Sequence, residues 1–227
     1  MKREKLRTHV RRSQIAEATL AVVGARGLRG LSVAAVARRV GLAPSAIYRH
    51  YRSKDDVLDA VVDLIRERLL GNVAAVRAES ADPIEALERL LARHIQLIRD
   101  NQALPRIVFS EDFYTGHPER RQRVLAVLTG YLDGVAGIIH DGQRRRLIRA
   151  DVHARPLAIL FLGLIQPAGV LWSLSDGDFD ITRQARDAWP VFEHAIRNPD
   201  REAARARPRR KPARSGTSAG RTPEETP

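Results

Sequence analysis

A chain of 227 residues with 44% hydrophobic content is long enough for two modest domains and apolar enough to give each a core. Its 39 Lys and Arg outnumber 27 Asp and Glu, and the resulting formal net charge of +12 points to a polyanionic partner. No cysteine is present, which excludes a disulfide framework and a thiolate metal site, and the N-terminus is basic without the apolar stretch of a signal peptide, so the sequence predicts a cytoplasmic protein.

The charge is unevenly placed. Before Asp55 the acidic residues are Glu4 and Glu17, against 13 Lys and Arg from Lys2 to Lys54. Biased composition accounts for part of the arginine excess but not for the missing acids. A field of one sign steers this end of the chain onto a phosphate backbone and makes affinity fall with salt. Residues 1–9 read as a basic arm, and the first helix is predicted from Val10 to Arg26, with Ile15, Ala18, Thr19, Val22 and Val23 on one face and Gly27 as its stop.

Ser32 stands where an N-cap belongs, and Val33, Val36, Ala37 and Val40 follow at helical spacing. Gly41 ends that helix in a sharp turn, Leu42 pins the turn, and Pro44 opens the next helix, where no amide donor is needed. Small residues Ala43, Ser45 and Ala46 let this second helix sink into a major groove, while Ile47 and Tyr51 face inward. Tyr48, Arg49 and His50 are left to meet bases or phosphates. Ser53-Lys54-Asp55-Asp56 forms a capping box for a third helix, with Lys54 beside unpaired backbone amides as a phosphate clamp. This is the pattern of a helix-turn-helix reader of double-stranded DNA. Its candidate contacts are Ser32, Pro44, Ser45, Ala46, Tyr48, Arg49, His50 and Lys54.

The stretch resembles the DNA-binding domain of TetR-type transcriptional regulators. The family pattern of a Gly-hydrophobic-Ser turn, a recognition helix ending in Tyr followed by another aromatic, and a Ser-Lys-acid entry into a long helix reads here as Gly41-Leu42-Ala43, Ile47-Tyr48-Arg49-His50-Tyr51 and Ser53-Lys54-Asp55-Asp56. Two departures matter for base preference: Ala43 replaces the usual Ser or Thr cap, and Pro44-Ser45-Ala46 replaces the frequent polar-Gly-Thr.

The helix entered at Lys54 continues through Val57, Leu58, Val61, Val62, Ile65 and Leu69 and is predicted to end near Gly71. Asp82-Pro83 starts another, with Ile84, Leu87, Leu91, His94 and Ile98 on one face and its end near Asn101. A shorter helical piece runs from Leu104 to Phe113, and Pro118 opens a long helix through Gly142. In that helix Gly130, Gly134 and Gly137 make a small-residue stripe, read as a site of close helix packing. Leu147 to Val152 is a connection. The segment from Leu157 to Leu174 approaches the length of a membrane span, but Pro167 and the lack of aromatic belts favour a core or interface helix. A last helix covers about Thr182 to Arg197, and 199–227 is predicted to be a basic disordered tail. No run alternates with period two, so the sequence predicts an all-α protein: a three-helix DNA-binding domain over 10–56 and a larger helical domain over 57–198.

The apolar last two helices offer a four-helix interface between two copies, with Leu160, Leu164, Leu171, Trp189, Phe192 and Ile196 as candidate contacts. The resemblance implies the same pairing, together with an effector cavity in the second domain whose candidate walls are His94, Ile98, Phe109, Phe113, Tyr131, Phe161 and Trp172. It also implies the function: a sequence-specific regulator that represses from a palindromic operator as a homodimer and is released by a small-molecule effector. Glu111, Asp112, His117, His140 and His153 have no metal-ligand spacing, and no metal or cofactor is expected. No phosphate loop, nucleophile elbow or His-Glu-x-x-His pair is present, so an enzyme is not expected. The competing reading is a non-specific basic nucleic-acid-binding protein, resting on net charge and on the cations of Arg201 to Arg214.

Overall fold

The computed structural model describes residues 2–101, 103–108 and 110–200. Among them it shows ten helices and no strand, with one isolated antiparallel bridge between Ile148 and Arg197. The predicted disordered tail lies outside the described residues, apart from its first two.

Three helices build the basic N-terminal unit: α1 (Lys2–Arg26), α2 (Val33–Val40) and α3 (Pro44–Ile47). Helix α1 begins at Lys2 rather than at Val10, so the basic arm is the first part of a continuous helix. Residues 2–9 contain neither Gly nor Pro and are rich in Lys, Arg and Glu, all good helix formers. Ile15, Ala18, Val22 and Val23 are buried as the periodicity requires, and the buried Thr19 hydroxyl is satisfied by donating to the Ile15 carbonyl at 2.8 Å.

Helix α4 (Lys54–Glu79) is 26 residues long and runs straight through Gly71. A glycine inside a helix costs about 1 kcal/mol, and burial of Val73 and Val76 beyond it outweighs that cost. Helix α5 (Pro83–Asp100) starts under the Asp82 carboxylate, which accepts from the Ile84 amide at 2.8 Å. The single piece expected over Leu104–Phe113 is two helices, α6 (Ala103–Val108) and α7 (Glu111–Tyr114), separated by an extended Ser110. Three long elements complete the fold: α8 (Pro118–Arg144), α9 (Ala154–Leu174) and α10 (Ile181–Ile196).

Helix α4 packs on α1 at one end and on α5 and α8 along its length, so it belongs to both halves of the molecule. The glycine stripe of α8 is where this packing is tightest. A Cβ at Gly134 would lie 2.8 Å from Val73 Cγ1, and one at Gly137 would lie 2.7 Å from Arg77 Nη1. Close packing is therefore the meaning of the stripe.

Helices α8 and α9 are each long and apolar enough to cross a membrane by length and composition alone. Both lie against the bundle instead: α9 packs on α8, α10 and α5, burying Phe161, Ile165 and Trp172.

The expected interface residues divide between surface and interior. Leu160 is 60% exposed and Leu171 50% exposed, and Leu164 is half-buried. Trp189, Phe192 and Ile196 are buried inside the protomer, which corrects their assignment to a dimer contact. The apolar face of α10 is covered by α9 and α5, and Phe192 meets Phe161 edge-on with centroids 5.7 Å apart.

Candidate functional site

The reader is set by its caps. The Ser32 hydroxyl accepts from the Ala35 amide at 3.2 Å and fixes the start of α2. Gly41, at φ 72°, takes the left-handed turn, and the Leu42 amide closes it on the Ala37 carbonyl at 2.9 Å. Ala43 offers no side-chain cap, so α3 is a single turn opened by Pro44. The amides of His50 and Tyr51 both bond to the Ile47 carbonyl and carry the turn onward. Its end is fastened by Tyr51, which is buried, donates its hydroxyl to the Arg12 carbonyl at 3.1 Å and lies under the Arg12 guanidinium at 4.8 Å. Burial pushes the Tyr51 phenol up, so it stays a neutral donor.

This geometry leaves Pro44, Ser45, Tyr48 and Arg49 exposed on one surface, with Ser32 and Lys54 also exposed at the starts of α2 and α4. Tyr48 is 55% exposed at the C-terminal end of α3, so its ring is available for contact outside the protomer. Ala46 departs from expectation: at 8% exposure it is buried, as Ile47 is, and offers little surface to a groove. His50 is half-buried, and its pKa is lowered first by burial and then by Arg11, Arg49 and Arg12, so it is a neutral imidazole at pH 7.

At the start of α4, the Ser53 hydroxyl accepts from the Asp56 amide at 3.1 Å, and the Asp56 carboxylate accepts from the Arg52 amide at 2.9 Å. Asp55 is engaged by Arg120, whose hydrogen bond is the main reason its carboxyl sits below the usual carboxylate range. Both acids in the first turn are thus committed to the protein. The amides of that turn and Lys54 then present net positive potential outward.

Some 16 Å farther along α4, at 1.5 Å per residue, Ile65 and Leu69 form one wall of a cavity of about 70 Å³. Helix α5 contributes His94, Leu97 and Ile98, α6 Leu104 and Pro105, α8 Leu128 and Tyr131, and α9 Leu162, Ile165, Gln166 and Gly169. His94 Nδ1 and the Tyr131 hydroxyl are hydrogen-bonded at 2.9 Å, with their rings edge to face. Burial pushes His94 down to about 4 and Tyr131 up, so both are neutral.

Of the expected walls, His94, Ile98 and Tyr131 line this space. Phe113 does not: its ring lies under the Arg120 guanidinium at 5.1 Å. Phe161 is taken by Phe192, and Trp172 lies at the far end of α9 beside Gly177. Phe109 falls outside the described residues. Sequence reasoning missed Gln166 and Gly169. The first was visible as a polar break in an apolar run, and the second is where a Cβ would lie 3.5 Å from Ile98 Cδ1.

Two arginines tie α4 to its neighbouring helices. Arg120 is buried on α8, with Nε on Asp59 and Nη2 on Asp55, each at 2.9 Å. Arg68 on α4 reaches Asn101 at the end of α5 at 2.9 Å and Glu17 on α1 at 2.8 Å. Neither had a sequence signal to separate it from its many arginine neighbours. Among the described residues no group of three or more His, Asp or Glu side chains gathers for a metal.

Known proteins share this architecture. The family model of bacterial regulatory proteins of the tetR family matches residues 15–61, and that of the C-terminal region of YsiA-like proteins matches 58–195. The fatty acid metabolism regulator protein of Bacillus subtilis is 23% identical over 188 residues, 82% of this chain and 95% of the relative. The nucleoid occlusion factor SlmA of Vibrio vulnificus is 22% identical over 188 residues, 82% and 96% of the two chains. The solved structure of the transcriptional regulator FadR from Bacillus subtilis in complex with stearoyl-CoA superposes with a TM-score of 0.67 at 22% identity, covering 81% of this chain and 98% of that one. With one model matching the reader and a second matching the helical domain behind it, the chain belongs to the tetR family of bacterial regulatory proteins.

Proposed function

We propose that this protein is a homodimeric transcriptional repressor that holds a palindromic operator through its N-terminal unit, residues 10–56, and releases it when an apolar effector enters the cavity of residues 57–198. It acts in the cytoplasm by binding alone, with no catalytic step and no membrane. In each protomer Ser45, Tyr48 and Arg49 read the major groove, with Pro44 at the start of the helix that enters it. Lys54 and the first α4 amides hold a phosphate, and Ser32 and His50 flank them. A second copy covers the exposed apolar stripe of Leu160, Leu171 and Leu174 on α9 with Val191 on α10, which places two readers on successive groove turns.

The observation that carries this reading is that one rigid helix, α4, bears Lys54 at its DNA end and Ile65 and Leu69 in the cavity wall. Ligand pockets are usually about 300–1,000 Å³, so a cavity of about 70 Å³ is too small for such a ligand without widening. A ligand of that size spreads the helices that line the cavity, α4 and α6 among them, and α6 itself packs on α1. Entry and reader position are then one equilibrium, and a coupling of about 1–3 kcal/mol gives roughly 5- to 150-fold release. The apolar walls suit an aliphatic chain, in keeping with the stearoyl-CoA held by the Bacillus subtilis regulator.

Selection of bound fragments from random duplex DNA with the purified protein tests this directly. Recovered sites with two-fold symmetry and one-turn half-site spacing are the expected result. Equal recovery of all duplexes would favour the non-specific basic nucleic-acid-binding protein instead.

His50 adds a pH dependence. In the free protein burial and Arg11, Arg12 and Arg49 keep it neutral. A phosphate brought beside it raises its pKa, so binding takes up a proton and operator affinity rises as pH falls from 7.5 to 6. His50→Gln should flatten that rise in an anisotropy titration at constant ionic strength.

A further inference from the structure

We propose that the His94–Tyr131 pair is the ligand-reading group of the cavity, and that it selects an uncharged carbonyl-bearing chain, an ester, thioester or ketone, over the ionised acid of the same chain. This rests on the cavity being the effector site.

The geometry is a count of protons. A neutral imidazole carries one N–H and a phenol one O–H, and one of these two is spent in the 2.9 Å bond between Nδ1 and the hydroxyl. If Tyr131 donates to Nδ1, the imidazole keeps an N–H on Nε2. If Nδ1–H donates to Tyr131, the phenol keeps its O–H. In either arrangement the pair retains one donor, and it borders a space otherwise walled by Ile65, Leu69, Leu97, Ile98 and their neighbours. A single neutral donor matches a single neutral acceptor, as a carbonyl oxygen is.

It does not match a carboxylate. Among the described wall residues there is no Lys or Arg, and the one other polar side chain is the amide of Gln166. The imidazole does not become cationic to help, because burial holds its pKa at about 4. An ionised head group entering here loses its hydration and gains no counter-charge, which is the costly case for burial. The pair also explains its own presence. A buried tyrosine and a half-buried histidine beside leucines contribute less to a core than two apolar residues would, and recognition of an acceptor is what they add.

The test uses the full-length protein and two probe series: N-acetylcysteamine thioesters of straight-chain fatty acids, and the free carboxylates of the same chains. Calorimetric titration at pH 7.5 should show each thioester that binds doing so at least tenfold tighter than its carboxylate. The double variant His94→Leu with Tyr131→Phe removes both candidate donors and should lower thioester affinity about five- to tenfold. Carboxylates binding as tightly as thioesters would overturn the proposal and leave the effector site standing. An unchanged thioester affinity in the double variant would overturn it equally. Should that variant not fold, the wild-type comparison of the two series decides alone. Binding of neither series would overturn the effector reading itself, and this inference with it.

Discussion

Lys54→Ala is expected to lower operator affinity about 10²- to 10⁴-fold while leaving the fold intact. A hydrogen bond to a charged group is worth about 1.5–3 kcal/mol. The proposed dimer makes this contact twice, so the expected loss is about 3–6 kcal/mol, at roughly 1.4 kcal/mol per tenfold. Two released counterions are lost with it, and the slope of log affinity against log salt should fall by about 1.8. The side chain is exposed at the first position of α4, and alanine is a good helix former there, so thermal stability should change by no more than about 0.5 kcal/mol. Tyr48→Ala behaves differently. Its ring carries no charge, so the variant should lose discrimination between operator and scrambled duplex and keep the salt slope. Anisotropy titrations of both variants on both duplexes across a salt series separate these outcomes. A Lys54→Ala slope equal to the wild type would remove Lys54 from the phosphate contacts of this regulator.

The reader was legible in the sequence because its signals are local. Ser32, Gly41, Pro44 and Ser53 each act on amides or turns within four residues; the Ser32 and Ser53 caps and the Gly41 turn form as expected, while the Asp56 carboxylate takes the Arg52 amide in place of that of Ser53. Apolar faces were equally legible, but the identity of what covers each face was not. The periodicity of α10 marks Trp189, Phe192 and Ile196 as one stripe without saying whether α9 of the same chain or a second copy lies on it, and α9 does. Ala46 failed for the reverse reason: a small residue fits a groove or a buried position equally well, and here it is buried. Aromatic residues drew attention as cavity walls, yet Phe113 and Phe161 had partners elsewhere in sequence, Arg120 and Phe192. Such long-range pairings leave no mark in a single sequence. The end of α4 was misplaced because Gly71 is a stop signal by propensity, and only the tertiary seam with α8 overrides it.

Arg120→Met should both destabilise the protein and uncouple effector from operator. The guanidinium is 3% exposed and is held by Asp55 and Asp59 of α4 and the Phe113 carbonyl of α7, so it fastens the start of α8 to the DNA end of α4. Removing one partner of a buried pair costs about 3–5 kcal/mol. Here Asp55 and Asp59 are 50% and 31% exposed and recover some hydration, so about 2–3 kcal/mol is expected, read as a fall in Tm of roughly 4–12 °C. Acid should erase the difference. Arg120, with smaller contributions from His117 and Lys54, holds Asp55 below its ordinary value of 3.8. A carboxyl depressed in the folded state stabilises above its unfolded pKa and loses that contribution as pH falls through the folded value. The wild type should therefore approach the variant as pH drops below about 4, whereas a gap caused by lost packing would persist there. In function, the DNA end of α4, unfastened from the start of α8, follows the cavity less closely, so effector should release the variant from its operator less than it releases the wild type. Release equal to the wild type, alongside the same loss of stability, would make Arg120 a structural clasp and place the coupling instead at Arg68, where α1, α4 and α5 meet.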